Sequence, residues 1–210
     1  MNNNKQAHYN HPSTSLTQST CRLLLRWLGW NIAPFPDVKK AVAIGGPHTS
    51  NWDGIIGLMG ASAIGIPATI MIKDSLFFWP MGALLRRFGA IPINRGQAGS
   101  VVEQAVEQFR QRDKLVLVVT PEGTRSNAAA WKTGFYRIAK EAKVPVVVAT
   151  ADYVKKEVTY PAVFMPTDNQ EADFAQFHTW FASVTPRHPE RLSAPVKERY
   201  LARINQKTPD

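Results

Sequence analysis

Short, unbroken apolar runs alternate along the chain with stretches of helical period. Residues 41–44, 68–72, 90–94, 115–120 and 145–150 are almost wholly apolar and bounded by Gly, Pro or polar residues, the pattern of strands buried on both faces. Between them, Val101, Val102, Ala105, Val106 and Phe109 recur on one side of a helix running to about Arg112, opened by the capping-box pattern Ser100-x-x-Glu103. Residues 135–143 form a second such helix. Beyond residue 150 the pattern predicts one or two strands over 153–164 and a helix over 174–184 with Phe174, Phe177, Trp180 and Phe181 inward. A basic terminal helix follows over 196–206. Strands alternating with helices predict an α/β domain with a mixed, mostly parallel sheet and helices on both faces.

Three stretches read less simply. Residues 1–17 are polar and predict a disordered tail, whereas 18–30 turn helical, with Cys21, Leu24, Leu25 and Leu28 on one ridge and Leu23, Trp27 and Trp30 on another. Arg22 and Arg26 lie between the ridges. Such a helix either packs on its own domain or lies in a membrane interface. Residues 54–72 carry no charge and approach the roughly 20 apolar residues that a membrane span needs. Gly65 and Pro67 divide them into a helix to about Ala63 and a strand from Ala68. The small residues at 57, 60, 61 and 65 allow close packing on a sheet or room for an acyl chain. Residues 73–88 hold Leu76, Phe77, Phe78, Trp79, Met81, Leu84 and Leu85, more large apolar groups than one helix stripe buries; the excess is either core or faces lipid. Pro80 makes any helix here irregular.

At 210 residues and 44% hydrophobic composition the chain is long enough for one sizeable core, read as a single domain over 18–210. The net charge of +9 is scattered among apolar helices, with no zinc-finger spacing or RNA-binding signature, which favours an anionic membrane surface over nucleic acid as partner. The lone Cys21 forms no intrachain disulfide, and no signal peptide opens the sequence, which predicts a cytoplasmic setting. No His, Cys and carboxylate cluster has metal-ligand spacing. His8, His11, His178 and His188 read as bystanders.

Two stretches carry chemistry. In Gly46-Pro47-His48-Thr49-Ser50-Asn51-Trp52-Asp53 a strand turns into a helix start that presents His48 beside Asp53, a candidate general base with its orienting carboxylate. The same residues contain the capping-box pattern Ser50-x-x-Asp53, so Asp53 caps the helix on the alternative reading. In Thr120-Pro121-Glu122-Gly123-Thr124-Arg125-Ser126 a strand ends in a loop with a permissive glycine, hydroxyls and the planar donor fork of Arg125. It reads as an anion site or as a capped loop with a surface arginine. Beyond Thr150 no comparable chemistry is legible.

Taken together, the two stretches resemble the first and third sequence blocks of the glycerolipid acyltransferases related to 1-acylglycerol-3-phosphate acyltransferase, whose first block is H-x-x-x-x-D. Residues 89–95 are similar to the second block, G-x-x-F-I-x-R, and 144–148 to the fourth, V-P-x-x-P. Pro92 and Thr120 stand where the family usually has phenylalanine, and Val148 where it has proline. The resemblance implies an α/β acyltransferase fold, His48 as base, Asp53 as its partner, and Arg95, Glu122, Gly123, Thr124 and Arg125 as the acceptor's phosphate site. It further implies an acyl thioester donor, acyl-CoA or acyl carrier protein, as co-substrate, and a glycerophosphate or lysophospholipid as acceptor. No metal or other cofactor is implied, and the protein is expected at the cytoplasmic face of a membrane.

No obvious nucleophile adjoins His48: Cys21 belongs to the amphipathic helix, and Thr49 and Ser50 are placed for capping. Direct attack of the acceptor hydroxyl on the thioester is therefore the expected reaction. A hydrolase using the same base on water and a non-catalytic membrane-surface protein are the rival readings.

Overall fold

The computed structural model describes residues 15–87, 89–94 and 101–206. Seven strands form one sheet: β1 (Asn31–Ile32), β2 (Lys40–Gly46), β3 (Ala68–Lys73), β4 (Ala90–Ile93), β5 (Leu115–Val119), β6 (Val146–Asp152) and β7 (Glu157–Phe164). Their order across the sheet is β1-β7-β6-β2-β5-β3-β4. The five strands from β6 to β4 run parallel, and β7 returns antiparallel to β6. The sheet is thus mixed and mostly parallel, as the alternating pattern requires.

The helices are α1 (Ser15–Trp27), α2 (Asn51–Ala63), α3 (Met81–Arg87), α4 (Val101–Gln111), α5 (Gly134–Ala142), α6 (Gln170–Ala182) and α7 (Ala194–Gln206). Alternate residues of the central strands sort them into two layers. Val42, Ile44, Leu115, Leu117, Val146 and Val148 face a large core closed by α4, α5, α6 and α7. Ala41, Ala43, Val116 and Val147 face the other way, onto Ala61 and Ile66 around α2. The small side chains on that second face let α2 sit close to the sheet. Gly60 contributes: a Cβ there would stand 3.3 Å from Ile32, whereas Gly57 is exposed and a Cβ there would meet nothing. Close packing therefore involves positions 60 and 61 but not 57.

Some boundaries differ from those predicted. The first helix begins at Ser15, inside the stretch expected as tail, and stops at Trp27, before Gly29 takes a φ of 79°. The expected tail up to residue 14 lies outside the described residues, as do Ser100 of the capping-box pattern and His8 and His11. Leu25 and Trp30 are buried with Ile56, Ala63 and Val158, while Leu23, Leu24 and Trp27 are exposed, Trp27 to 83%. The helix thus packs through one edge and presents the other.

The described part of the next stretch, residues 73–87, is not one continuous helix. A 3₁₀ turn, Asp74–Leu76, precedes a cis Trp79-Pro80 bond, and α3 begins only after it. Proline cannot continue an N–H ladder, so the break falls where it stands. Leu76, Phe78, Trp79 and Met81 are exposed, so the aromatic excess is not core. The stretch 153–164 gives a single strand, β7, after a turn at residues 153–156. Helix α6 starts at Gln170, four residues early, because the Asn169 side chain caps it by accepting from Ala172 N at 3.1 Å.

Gly46, the last residue of β2, sits against the fully buried Phe181 of α6, and a Cβ added there would overlap the ring. Gly46→Ala should therefore cost about 1–3 kcal/mol in stability by chemical denaturation, the usual penalty for overpacking a core. A second change, Phe181→Leu, should recover part of that loss in the double variant relative to the sum of the singles.

Candidate active site at the carboxyl ends of three strands

Strands β6, β2 and β5 are neighbours and point the same way, so the loops that leave them share one edge of the sheet. From β2 the chain crosses to β3 through α2 on one face. From β5 it crosses in the opposite direction to β6 through α5 on the other face. Two loops departing to opposite faces leave a crevice between them, the position at which open α/β sheets bind ligands. His48 and Glu122 lie in those two loops.

A hydrogen bond joins them. Glu122 Oε2 accepts from the backbone N–H of His48 at 2.8 Å, and the residue is only 4% exposed. Burial pushes the Glu122 carboxyl up to about 7; the His48 N–H acts against that rise and the charge of Asp53 adds to it. Next to it Gly123 takes a φ of 68°, and the side chain of Lys132 lies across it, 3.1 Å from where a Cβ would be. Thr124 and Arg125 are exposed.

On the β2 side the carboxylate that caps the helix is also the one that stands beside His48. Ser50 Oγ accepts from Trp52 N at 3.1 Å, and Asp53 Oδ2 accepts from Ser50 N at 2.7 Å and from Thr49 N at 2.6 Å, completing a capping box at the start of α2. The same Oδ2 lies 3.6 Å from His48 Nδ1. That separation is an electrostatic contact rather than a hydrogen bond. With Nδ1 on the Asp53 side, the opposite ring nitrogen, Nε2, is turned away from the carboxylate. Partial burial lowers the His48 pKa most, Asp53 opposes that, and the positive charge of Arg125 lowers it again. The net shift is downward, toward the neutral ring.

Sequence reading assigned no chemistry beyond Thr150, yet that region reaches the site. Tyr153, which follows β6, donates its hydroxyl to Asp53 Oδ1 at 2.6 Å, and burial pushes the phenol pKa well up, with the Asp53 bond adding to the rise. Arg187, His188 and Arg191 join Ser50, Asn51, Trp52 and Arg125 around an open cleft of about 420 Å³. Arg125 also donates to the side-chain oxygen of Asn51. Thr49 Oγ1 accepts from His188 N at 3.3 Å, so the Thr49 side chain reaches across the site while its backbone N–H is held by Asp53 at the helix start. Of the expected residues, His48, Asp53, Glu122, Gly123, Thr124 and Arg125 meet at this edge; Arg95 lies outside the described residues. Tyr153 carries one legible signal, its place directly after a buried strand parallel to β2. The arginines stand in a proline-rich stretch whose charge reads as ordinary surface. His178 sits apart, its ring 4.5 Å from that of Trp131, and burial lowers its pKa to about 4. Among the described residues no group of His, Cys, Asp and Glu is arranged to hold a metal ion.

Comparison with known proteins places this site in a family. The profile of the acyltransferase family matches residues 31–151, more than half of the chain, from β1 through all but the last residue of β6. The chain belongs to the acyltransferase family. No curated protein matches the sequence significantly. Among solved structures, the 1-acyl-sn-glycerophosphate acyltransferase PlsC from Thermotoga maritima superposes with a TM-score of 0.51 at 14% identity, covering 80% of this chain and 77% of that one. That likeness establishes a shared acyltransferase fold. His48, Asp53, Glu122, Gly123, Thr124, Arg125 and Arg95 fall inside the span that the family profile matches, and Tyr153, Arg187 and Arg191 outside it.

The raised pKa of Glu122 has a sign that can be tested. Its carboxyl titrates at 4.5 when unfolded and at about 7 when folded, so the folded state binds more protons between those values. Stability from this group is present below pH 4.5 and is lost as pH rises to about 7. Glu122→Gln keeps an oxygen to accept from His48 N but has no proton to lose. Denaturation midpoints of the variant should fall less than those of wild type between pH 4.5 and 7.

Proposed function

We propose that this acyltransferase moves a fatty acyl group from a thioester donor to a hydroxyl of a phosphate-bearing glycerolipid acceptor, a glycerophosphate or a lysophospholipid. The observation that carries the reading is His48 with Asp53 behind its Nδ1, set at the crevice between two divergent loops and beside a cleft rich in arginine. His48 takes the proton of the acceptor hydroxyl at Nε2 while that oxygen attacks the thioester carbonyl carbon. Asp53 steadies the imidazolium. Collapse of the tetrahedral intermediate breaks the carbon–sulfur bond, and the proton on His48 goes to the departing thiolate. The new bond is an oxygen ester, the product sulfur is a thiol, and the base is regenerated.

Other assignments follow the geometry. Glu122, buried and bonded to the His48 backbone, is better suited to fix the loop than to touch a phosphate, since its carboxylate would repel one. Arg125, exposed on the cleft, supplies a fork of donors for phosphate oxygens, with Thr124 and the Gly123 backbone beside it. Arg95 is assigned to the same site by the block resemblance alone. The donor is acyl-CoA or acyl carrier protein. No helix among the described residues is long and apolar enough to cross a membrane. The apolar side chains exposed on α1 and before α3 support a peripheral membrane setting in which a lipid acceptor is reached from the surface.

His48→Ala should lower turnover by roughly 10² to 10⁴, the range for a positioned general base, with the fold retained because the residue lies in a turn. Purified, folded His48→Ala that transfers acyl groups at the wild-type rate would sink the mechanism. Free fatty acid released without loss of acceptor would instead identify a hydrolase.

The acid limb of kcat/KM should lie below the ordinary imidazole value of 6.5. Asp53→Asn should move it lower still, whereas Arg125→Gln, which removes a positive charge from the ring's surroundings, should move it up.

Replacing Leu23, Leu24 and Trp27 by Ser should weaken flotation with anionic liposomes while leaving the melting transition near that of wild type, because these three side chains are exposed. Equal flotation of the two proteins would move the contact to residues 76–81.

A further inference from the structure

The cleft beside His48 holds more positive charge than the acyltransferase blocks account for. Arg125 arrives from the loop after β5, and Arg187 and Arg191 from the segment between α6 and α7, far apart in the chain; all three line the one cleft. Their segment is fastened on two sides. Tyr153 N donates to Thr185 O at 2.8 Å and Thr185 N to Asp152 Oδ2 at 3.2 Å, which ties it to the end of β6. Asn127 N donates to Arg191 O at 3.0 Å, which ties it to the loop that carries Arg125. Backbone bonds thus set the two arginine-bearing loops side by side.

The charges themselves are little neutralised. Arg187 lies over the Trp52 ring, 5.6 Å from its centroid, and 5.9 Å from that of Tyr153, supports that orient a guanidinium without cancelling it. Glu190 is the carboxylate at hand, 3.2 Å from His188 Nδ1 and 3.8 Å from Arg191 Nε. Arg125 and Arg187 form no ion pair with a carboxylate among the described residues. Like charges gathered in one cleft repel one another until an anion enters, and three planar forks fit the several oxygens of a phosphate group.

We propose that Arg187 and Arg191 complete, with Arg125, a phosphate-binding site, and that these two residues outside the family-matched span determine how strongly the phosphate of a substrate is held. This rests on the acyl-transfer reading of the same cleft. The phosphate is carried either by the acceptor headgroup or by the donor's coenzyme, and the chemistry recognised is the same.

The test is calorimetric titration of the full chain with glycerol 3-phosphate, with coenzyme A, and with the phosphate-free controls glycerol and pantetheine. Wild type should bind at least one phosphate ligand, and Arg187→Gln and Arg191→Gln should each weaken that binding roughly tenfold or more, as expected for loss of a charge-assisted contact. Arg187→Lys and Arg191→Lys, which keep the charge and lose the fork, should fall between and serve as the measurement if a Gln variant does not fold. Loss on glycerol 3-phosphate assigns the site to the acceptor, and loss on coenzyme A alone assigns it to the donor. Wild type that binds neither phosphate ligand overturns the proposal, as do folded variants that bind like wild type or lose the phosphate-free controls equally. Acyl transfer is assayed separately on the same proteins. Arginine-dependent phosphate binding without acyl transfer to any acceptor would remove the functional reading and leave this site standing; transfer with an unchanged KM in both Gln variants would do the reverse.

Discussion

Asp53 gathers donors from three directions. Thr49 N and Ser50 N end on Oδ2, the Tyr153 hydroxyl and Ser50 Oγ end on Oδ1, and His48 Nδ1 faces the carboxylate. A buried carboxylate is tolerated only when its lone pairs are met, and here meeting them fixes the start of α2, the end of β6 and the ring of His48 together. The carboxylate that closes the capping box is the one that faces the His48 ring. A neutral side chain at this position would leave a protonated His48 ring without a facing negative charge.

The sheet decides where that arrangement stands. Because the chain leaves β2 and β5 toward opposite faces, the crevice between their ends needs no extra element to create it. The hydrogen bond from His48 N to Glu122 closes the crevice at its base, while the cleft beside it stays open and positive. Depth separates two of the carboxylates from the arginines: Asp53 and Glu122 lie beneath the loops, while Arg125, Arg187 and Arg191 stand at the surface with Glu190. Arg125 links the two levels, since its field reaches His48 and helps keep the ring neutral.

Much of this was legible in the residues. Unbroken apolar runs mark the five mutually parallel strands, β2 to β6, and the most deeply covered of them, β2 and β6, have no polar side to show. His48, Asp53 and the loop from Glu122 to Arg125 announce themselves through local spacing, because each pair is set by one turn of chain. What local spacing cannot show is contact across the sheet. Tyr153 lies 100 residues from Asp53, and Arg191 lies 142 from Thr49, so their roles appear only once β6, β2 and β5 are aligned. In the aromatic stretch after β3 the composition does not show where a helix starts; the chain makes a 3₁₀ turn before Pro80 and becomes α-helical only from Met81.

The first helix has a consequence of its own. Leu25 and the following Trp30 are already buried against α2 and β7, and Arg22 donates to Ala63 O at 3.1 Å, so the helix is formed and seated before anything touches its outer edge. Many segments that bind lipid surfaces fold only on arrival and lose backbone freedom as they do so. Leu23, Leu24 and Trp27 ask for no such ordering. Any surface that received them would meet a rigid ridge whose distance from His48 is set by the packing of α1 on α2, so contact at the ridge would also fix how high above that surface the His48 ring rides.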